Sequence, residues 1–406
     1  MKYYKIYLSF LLCALIVFTL PLVSMAKTVS SECDISDIAI PIASADTVQP
    51  FGSTLDIKAR SAILLEPQTL QILYESNSDE KVPPASITKI MSLLLIMEAI
   101  DRGDFSVEDV VSASEHAASM GGSQIWLEPG ESMTVDDLLK AAVIASANDA
   151  TVALAEKVAG SEEGFVELMN EKAKSLGMNG TTFKNATGLD SEGHLSTAHD
   201  VALMSAELLK HPLIKNYSTV WMDTLRDGKS ELVNTNKLVR FYEGTTGLKT
   251  GTTSEAGYCL AASAERDGME LVAVIMGGET SPARFEGAKK LLDYGFANYA
   301  YDKIAPDFEN GAEIKVTGGT EATVPLISED GLSILFRKSE RGDITQSVNL
   351  PESVTAPIEK GDKIGEIEVF SGDTLIGTID IIADKSVEKM SFRQALVWMF
   401  AGLFTS

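Results

Sequence analysis

The chain has 406 residues, of which 45% are hydrophobic and 23% charged. This balance is typical of a globular protein and excludes a disordered or fibrous chain, and the length allows a large core plus a second, smaller domain. The formal net charge of -24 disfavours nucleic acid as a partner, because a polyanion is repelled. Any attachment to an anionic membrane therefore has to rely on apolar burial.

The first segment carries the features of a targeting signal. Two lysines precede an apolar run over 6–23, which ends in Ser24-Met25-Ala26. A basic start, an apolar run and a small-x-small end are typical of a secretory signal, with a retained anchor helix as the alternative. We therefore expect a signal peptide over 1–26, export from the cytoplasm, and a small, polar leader segment over 27–50.

The next segment, 51–301, has strand patterns at both ends and helical patterns between them. Hairpins are predicted around the turns at 66–69 and at Asp267-Gly268. Residues 86–100 are apolar on nearly every face, as in a buried helix, and 135–158 has helical periodicity. This order predicts an α+β domain in which the N-terminal and C-terminal strands share one antiparallel sheet, flanked by helices.

Beyond 301 the pattern changes to short alternating runs separated by glycine-containing turns. Residues 304–384 are therefore predicted to form a smaller all-β domain. The last segment, 386–406, is rich in Trp, Phe and Leu, and its apolar part is too short to span a bilayer. We expect an amphipathic helix that lies in the membrane interface, with a terminal helix packed on its own domain as the alternative.

Only two cysteines follow the expected cleavage site, Cys33 and Cys259. They are too few for a disulfide framework. The sequence does not tell whether they pair.

Chemistry is indicated by the first of three short motifs, Ser86-Ile87-Thr88-Lys89. The S-x-x-K pattern alone is weak, since it recurs at Ser78 and Ser386, so its context decides. Ser86 begins the buried helix, where the helix dipole favours an anion, and Lys89 follows one turn later on the same face. Burial and a second cation would lower the pKa of Lys89, so that it can take a proton from Ser86.

The two other motifs are Ser146-Ala147-Asn148 and Lys249-Thr250-Gly251. The last directly precedes the second hairpin, and we expect it on an edge strand that pairs with an extended peptide. Gly251 allows close approach of a ligand, and Lys249 adds a positive charge that faces the nucleophile. The hydroxyl of Ser146 and the amide of Asn148 would close the third side of the site.

The ordered set of motifs is similar to that of the serine penicillin-binding proteins and β-lactamases. The strings at 84–89, 146–150, 247–251 and 256–258 resemble the low-molecular-mass D-alanyl-D-alanine carboxypeptidases, and so do 284–295 and the β-rich second domain with its apolar tail. The resemblance implies a serine peptidase without a cofactor or metal, which removes the terminal D-alanine from peptidoglycan stem peptides. It also implies covalent inhibition by β-lactam antibiotics and anchoring to the outer face of the cytoplasmic membrane through the C-terminal helix.

The resemblance further implies a role for each motif residue. Ser86 would be the acylated nucleophile and Lys89 its base. Ser146 would relay a proton, Asn148 would orient the substrate, and Lys249 would support the electrostatics of the site.

The remaining implied roles concern substrate binding. The backbone N–H groups of Ser86 and Thr252 would form the oxyanion hole beside Gly251. Thr250 and Arg284 would hold the carboxylate of the leaving D-alanine, for which the forked guanidinium of an arginine is suited. A solvated surface arginine is the alternative for Arg284. Thr252 stands where some relatives have His, and we expect this to affect pH dependence or rate rather than reaction type.

Two other enzyme classes compete with this interpretation. A class A β-lactamase needs a glutamate base in an E-x-x-x-N loop, but the best-placed asparagine, Asn185, has a threonine four residues before it. A zinc peptidase could use His194 and His199. However, Thr197-x-x-Asp200 resembles a capping box, so we expect Asp200 to cap a helix.

Two further alternatives share the fold. A non-catalytic wall-binding protein would have no need of a nucleophile with its base. A D,D-endopeptidase also cuts beside D-alanine and is hard to separate from a carboxypeptidase by sequence, but the β-rich second domain and the tail favour the carboxypeptidase.

Overall fold

The computed structural model describes residues 55–340 and 342–396. The expected signal peptide and leader, Cys33 and most of the C-terminal helix lie outside these residues. Within them, no helix combines the length and apolarity that crossing a membrane requires.

The described chain folds into a helix-rich first domain and a β-rich second domain. The α-helices are α1 (Lys89–Asp101), α2 (Glu115–Ala118), α3 (Val135–Ile144), α4 (Asn148–Ala159), α5 (Glu162–Ser175), α6 (Ala198–Leu209), α7 (Lys215–Ser218), α8 (Leu238–Phe241) and α9 (Ser281–Asn298), with short 3-10 turns at Ala85–Thr88 and Pro212–Ile214. The strands of the first domain are β1 (Ser61–Glu66), β2 (Gln71–Ser76), β3 (Val110–Ser112), β4 (Ser132–Thr134), β5 (Met222–Leu225), β6 (Ser230–Val233), β7 (Thr245–Thr253), β8 (Gly257–Arg266) and β9 (Met269–Gly278). The strands that follow are β10 (Tyr299–Ile304), β11 (Glu313–Thr317), β12 (Thr323–Ser328), β13 (Leu332–Arg337), β14 (Ile344–Asn349), β15 (Ser353–Thr355), β16 (Lys363–Ser371) and β17 (Thr374–Ala383).

The main sheet of the first domain has five antiparallel strands in the order β2-β1-β9-β8-β7. The first strand pairs with the last, and Ser61 lies opposite Met276, which confirms the predicted α+β arrangement. Both hairpins also form as predicted. Strand β7 lies at the edge of this sheet, where no described strand pairs with its outer side.

Alternation along the strands separates two cores on the two faces of the sheet. Ile63 and Leu65 face a large core formed with α1 and its neighbouring helices, whereas Ala62 and Leu64 face a smaller core covered by α9. In α1, 10 of 13 residues are buried, because helices or the sheet surround it on all sides. Burial of an aliphatic side chain contributes about 2 kcal/mol, so this helix is a firm base for whatever its first turn carries.

Two expectations about helices are wrong in detail. The helical stretch 135–158 is two helices, α3 and α4, separated at Ser146, whose φ of +62° lies in the left-handed region and cannot continue a helix. Ser86 also precedes the α-helix, because it lies in the 3-10 turn Ala85–Thr88 that leads into α1.

The second domain is built on a six-stranded sheet in the order β14-β16-β17-β12-β11-β15, around a small aliphatic core of its own. Strand β10, which directly follows α9, pairs with β13. The hydroxyl of Tyr301 in β10 also donates to Oε1 of the buried Glu66, at 2.6 Å. The connection between the two domains is therefore made of strand pairing and a hydrogen bond rather than a free linker.

Candidate active site

The nucleophile candidate Ser86 lies in a backbone turn that other segments hold from two sides. Ala85, directly before it, has a φ of +48°, which is unfavourable for a residue with a Cβ. Gly188 and Gly251 pack against this turn so closely that an added Cβ would lie 1.8 Å from the Ala85 oxygen and 2.9 Å from the Pro84 oxygen, respectively. Ser86 itself is half-buried and thus accessible from the cleft beside β7.

Lys89 lies directly beneath this serine and is fully buried. Its Nζ lies 3.1 Å from Ser86 Oγ, 2.5 Å from Asn148 Oδ1 and 2.8 Å from the carbonyl oxygen of Thr187. Burial holds the pKa of Lys89 well below its ordinary value, and the positive charge of Lys249 lowers the pKa further. A neutral Lys89 can donate to the two carbonyl-type oxygens and keep its lone pair for the proton of Ser86.

Ser146 and Asn148 flank the same lysine from the break between α3 and α4. Ser146 Oγ is buried and has no hydrogen-bond partner among the described residues, so its hydroxyl remains available to a substrate. Asn148 accepts from Lys89 through Oδ1 and donates through Nδ2 to the Gly121 carbonyl at 2.7 Å. The left-handed φ of Ser146 therefore turns the chain so that a hydroxyl and an amide both lie beside the base.

The edge strand β7 forms the opposite wall. Lys249 is 1% exposed, and burial together with the charge of Arg284 lowers its pKa to about 7. Thr250 Oγ1 donates to Thr235 Oγ1 at 2.8 Å. The lowered pKa of Lys249 reduces the positive charge that this wall adds next to Lys89 near neutral pH.

Arg284 reaches this wall from α9 and is 8% exposed, so the alternative of a solvated surface arginine is wrong. Its Nη1 donates to the Gly251 carbonyl and to Thr252 Oγ1, both at 2.9 Å, and to the Cys259 carbonyl at 3.2 Å. Arg284 thus fixes the backbone of β7 and β8 where the motif ends. Cys259 is buried, and burial raises the pKa of its thiol to about 11.

The structure therefore brings Ser86, Lys89, Ser146, Asn148 and the edge strand to one cleft. Sequence reasoning did not single out Thr187, whose carbonyl binds Lys89, or Thr235, which binds Thr250. The position of Thr235 between two buried asparagines in the sequence Asn-Thr-Asn is a signal that could have drawn attention to it.

The residues that could have served the two competing enzyme classes make structural contacts instead. Among the described residues, no glutamate hydrogen-bonds to Ser86 or Lys89, and Asn185 Oδ1 accepts from the backbone N–H groups of Thr187 and Gly188. The ring nitrogens of His194 contact protein groups, Thr88 Oγ1 and the N–H of Lys184.

The expectation that Asp200 caps a helix is also wrong. The side chain of Thr197 caps α6 by accepting from the Asp200 N–H. The carboxylate of Asp200 instead accepts from Gly180 N and Thr181 Oγ1, because the loop before α6 folds back over it.

Comparison with known proteins agrees with this geometry. The sequence profile of the D-alanyl-D-alanine carboxypeptidase family matches residues 45–280, and that of the C-terminal domain of penicillin-binding protein 5 matches 301–389. The chain is 44% identical over 344 residues to the D-alanyl-D-alanine carboxypeptidase DacF of Bacillus subtilis, an alignment that covers 84% of this chain and 88% of DacF.

Solved structures show the same fold. Penicillin-binding protein 5 from Haemophilus influenzae has a TM-score of 0.70 at 30% identity and covers 83% of this chain and 100% of its own. Penicillin-binding protein D2 from Listeria monocytogenes in its ampicillin-bound form has a TM-score of 0.55 at 33% identity and covers 60% of this chain and 100% of its own. The profile match over more than half of the chain and the identity to DacF together show that this chain belongs to the D-alanyl-D-alanine carboxypeptidase family of serine peptidases.

Proposed function

We propose that this protein is a serine D-alanyl-D-alanine carboxypeptidase, which releases the terminal D-alanine from peptidoglycan pentapeptide stems through an acyl-enzyme on Ser86. The observation that carries the proposal is the 3.1 Å contact between Ser86 Oγ and Nζ of the buried Lys89. A serine needs a base to become a nucleophile, and a lysine of lowered pKa supplies one.

In the acylation step, Lys89 takes the Ser86 proton while Oγ attacks the carbonyl carbon of the penultimate D-alanine. The negative charge that develops on the carbonyl oxygen is stabilised by the backbone N–H groups of Ser86 and Thr252. Ser146, whose hydroxyl has no partner among the described residues, passes its proton to the nitrogen of the leaving D-alanine and takes in return the proton that Lys89 received from Ser86. The C–N bond breaks, and the stem remains attached to Ser86 as an ester.

The edge strand positions the substrate for this step. An extended peptide adds to β7 by main-chain hydrogen bonds, and its terminal carboxylate lies towards Thr250 and Arg284. The side chain of Arg284 is 8% exposed, and its Nη1 donates to Thr252 Oγ1. Its positive charge attracts the substrate carboxylate even while Nη1 binds the strand.

Deacylation by water completes the cycle for a peptide but is slow for a β-lactam. Opening of a β-lactam ring leaves the cleaved amine attached to the acyl group, where it blocks the approach of water. The absence of a glutamate from the contacts of Ser86 and Lys89 among the described residues removes the base that a class A β-lactamase uses. Penicillin is therefore an inhibitor that remains bound to Ser86.

The test uses a pentapeptide stem ending in D-Ala-D-Ala and measures released D-alanine. We expect release by the wild type and none by Ser86→Ala, and mass spectrometry after penicillin treatment should place the adduct on the peptide containing Ser86. Cleavage of cross-linked stems into monomers without release of D-alanine from the pentapeptide would favour the endopeptidase, and rapid turnover of penicillin would contradict the proposed deacylation.

We further propose that the protein is exported and held at the outer face of the cytoplasmic membrane by its C-terminal helix. Support comes from Phe392 and Leu396, which are 84% and 40% exposed on a helical turn that leads into the apolar sequence 397–404. A vesicle flotation assay tests this. The mature chain should float with phosphatidylglycerol-containing vesicles and the chain truncated after 385 should not, and equal behaviour of the two would refute the anchor.

A further inference from the structure

The turn that carries the nucleophile is not self-supporting. Ala85–Thr88 has no side-chain hydrogen bond at its N-cap, and Ala85 has a left-handed φ of +48°. A residue with a Cβ is disfavoured in that region and persists there only when the surroundings enforce it. Something outside the turn therefore has to hold it in place.

His194 makes a buried side-chain contact with this turn. Its Nε2 lies 2.9 Å from Thr88 Oγ1, and its Nδ1 lies 3.3 Å from the backbone nitrogen of Lys184. Because the Lys184 N–H is a donor, Nδ1 is the acceptor and the ring proton resides on Nε2, which donates to Thr88. His194 is 3% exposed, and burial lowers its pKa to about 4, so the ring is neutral near neutral pH.

The loop that carries His194 contacts the turn and α1 at several further points. The Thr187 carbonyl accepts from Lys89 and the Ala186 carbonyl accepts from Ser92, at 2.8 and 2.6 Å. Bridges of Thr182 with Leu195 and of Val82 with Ser196 close the two ends of the loop. The loop is thus a fixed support behind the nucleophile. Its side-chain contact with the turn is made by His194, which binds Thr88, the residue next to Lys89.

We propose that His194 is a positioning residue for the catalytic pair: its Nε2–H holds Thr88 Oγ1 and thereby sets the separation of Ser86 Oγ and Lys89 Nζ. The inference rests on the proposed acyl-enzyme mechanism. His194 touches no reacting atom, so its effect passes through the turn. Its loss should lower the rate of acylation while leaving substrate affinity nearly unchanged.

Two substitutions of similar shape separate this role from packing. In His194→Gln the side-chain amide nitrogen can reach the place of Nε2 and donate to Thr88. In His194→Asn the amide group reaches only the place of Nδ1, so the contact with Lys184 is retained and that with Thr88 is lost. Both remove the ring that packs edge-on against Phe183, and the two variants therefore share the packing loss.

The measurement is steady-state release of D-alanine together with the second-order rate of acylation by penicillin. We expect His194→Gln to stay within about threefold of the wild type, and His194→Asn to lose about 10- to 100-fold in kcat with little change in KM, as a displacement of about 1 Å at a reacting group would cause. Thr88→Val should reproduce this loss and Thr88→Ser should restore the rate. The double variant Thr88→Val, His194→Asn should be no slower than either single variant.

Equal losses in the Gln and Asn variants, or additive losses in the double variant, would overturn the proposal. If neither His194 variant folds, the Thr88→Val and Thr88→Ser pair decides in the same way. If the wild type releases no D-alanine, the proposed function fails, while the acylation of Ser86 by penicillin still reports whether His194 positions the turn.

Discussion

The lowered pKa of Lys249 predicts a specific pH dependence of stability. The unfolded chain keeps a proton on this side chain up to its ordinary pKa of 10.5, whereas the folded chain releases it near pH 7 because the group is buried next to Arg284. Between these values the unfolded state binds more protons. Lys249 therefore makes the folded state gain stability as the pH rises.

The perturbation that removes this effect is Lys249→Met, which keeps the volume and deletes the charge. Between the folded pKa of about 7 and the unfolded pKa of 10.5, each pH unit changes the free energy of unfolding by about 1.4 kcal/mol. The change over the full interval is about 5 kcal/mol. Loss of the 3.3 Å contact of Lys249 Nζ with the Thr250 carbonyl shifts the stability by an amount independent of pH. The slope against pH of the difference in unfolding free energy between variant and wild type therefore isolates the electrostatic contribution of Lys249.

The assay is urea unfolding followed by tryptophan fluorescence at pH values from 6 to 9.5, since Trp126 and Trp221 both lie in the first domain. We expect the variant's advantage in unfolding free energy to be greatest below pH 7 and to fall by about 1.4 kcal/mol per pH unit above it. Lys174→Met, at an exposed position of α5, provides the baseline. A difference between Lys249→Met and wild type that stays constant over this range would refute the reasoning.

Three further predictions concern single contacts. Gly188→Ala places a Cβ 1.8 Å from the Ala85 oxygen and should slow penicillin acylation at least about tenfold. The control Gly193→Ala has a similarly positive φ, but its nearest atom lies at 3.5 Å, so it should acylate normally. Equal acylation rates of the two variants would contradict the role of the close approach. Asp149→Asn weakens a buried carboxylate that accepts from the N–H groups of Ile125 and Leu127 and should cost about 2 kcal/mol in urea unfolding; an unchanged midpoint would count against it. Tyr301→Phe removes the hydrogen bond to Glu66 and should lower unfolding free energy by about 1 kcal/mol with unchanged D-alanine release; a loss of activity would show that the joint between the domains reaches the site.

The parts of the fold that sequence predicts well are those determined by local pattern. The hairpin at Asp267-Gly268 and the buried helix α1 follow from turn chemistry and from an apolar run with few polar interruptions. The edge position of Lys249-Thr250-Gly251 follows from its place before that hairpin. That the first and last strands share one sheet follows from the strand-helix-strand order, whereas the direct pairing of β1 with β9 is known only from the structure.

The break at Ser146 could not be predicted, because no glycine or proline marks it. The sequence around it favours a continuous helix, and long-range contacts interrupt it. The Ala147 N–H donates locally to the Ala141 carbonyl at the end of α3, whereas the Asn148 N–H donates to the distant Ser123 carbonyl. Tertiary contacts of this kind override local propensity, and here they separate the relay hydroxyl from the helix that precedes it.

Side-chain roles that depend on contacts between two distant segments also could not be predicted from the sequence. In the sequence His194 stood out only as a candidate zinc ligand with His199, since nothing local links it to Thr88, 106 positions earlier. Arg284 was assigned by resemblance as a substrate ligand, and nothing in the sequence indicated that it also binds the strand carbonyls of Gly251 and Cys259 and the hydroxyl of Thr252. Motif spacing identifies which residue types are present but not which backbone groups they support.

The pairing of β1 with β9 determines when during synthesis the molecule can become active. Ser61 lies opposite Met276, so the centre of the sheet cannot close until more than half of the chain has been made. Closing so long a loop is slow compared with forming local helices. Ser86 emerges early and the edge strand β7 late, so a nascent or truncated chain ending before Thr245 contains the nucleophile without its opposite wall, and a chain ending before β9 cannot join that wall to β1. Assembly of the proposed active site therefore requires the first domain to be complete.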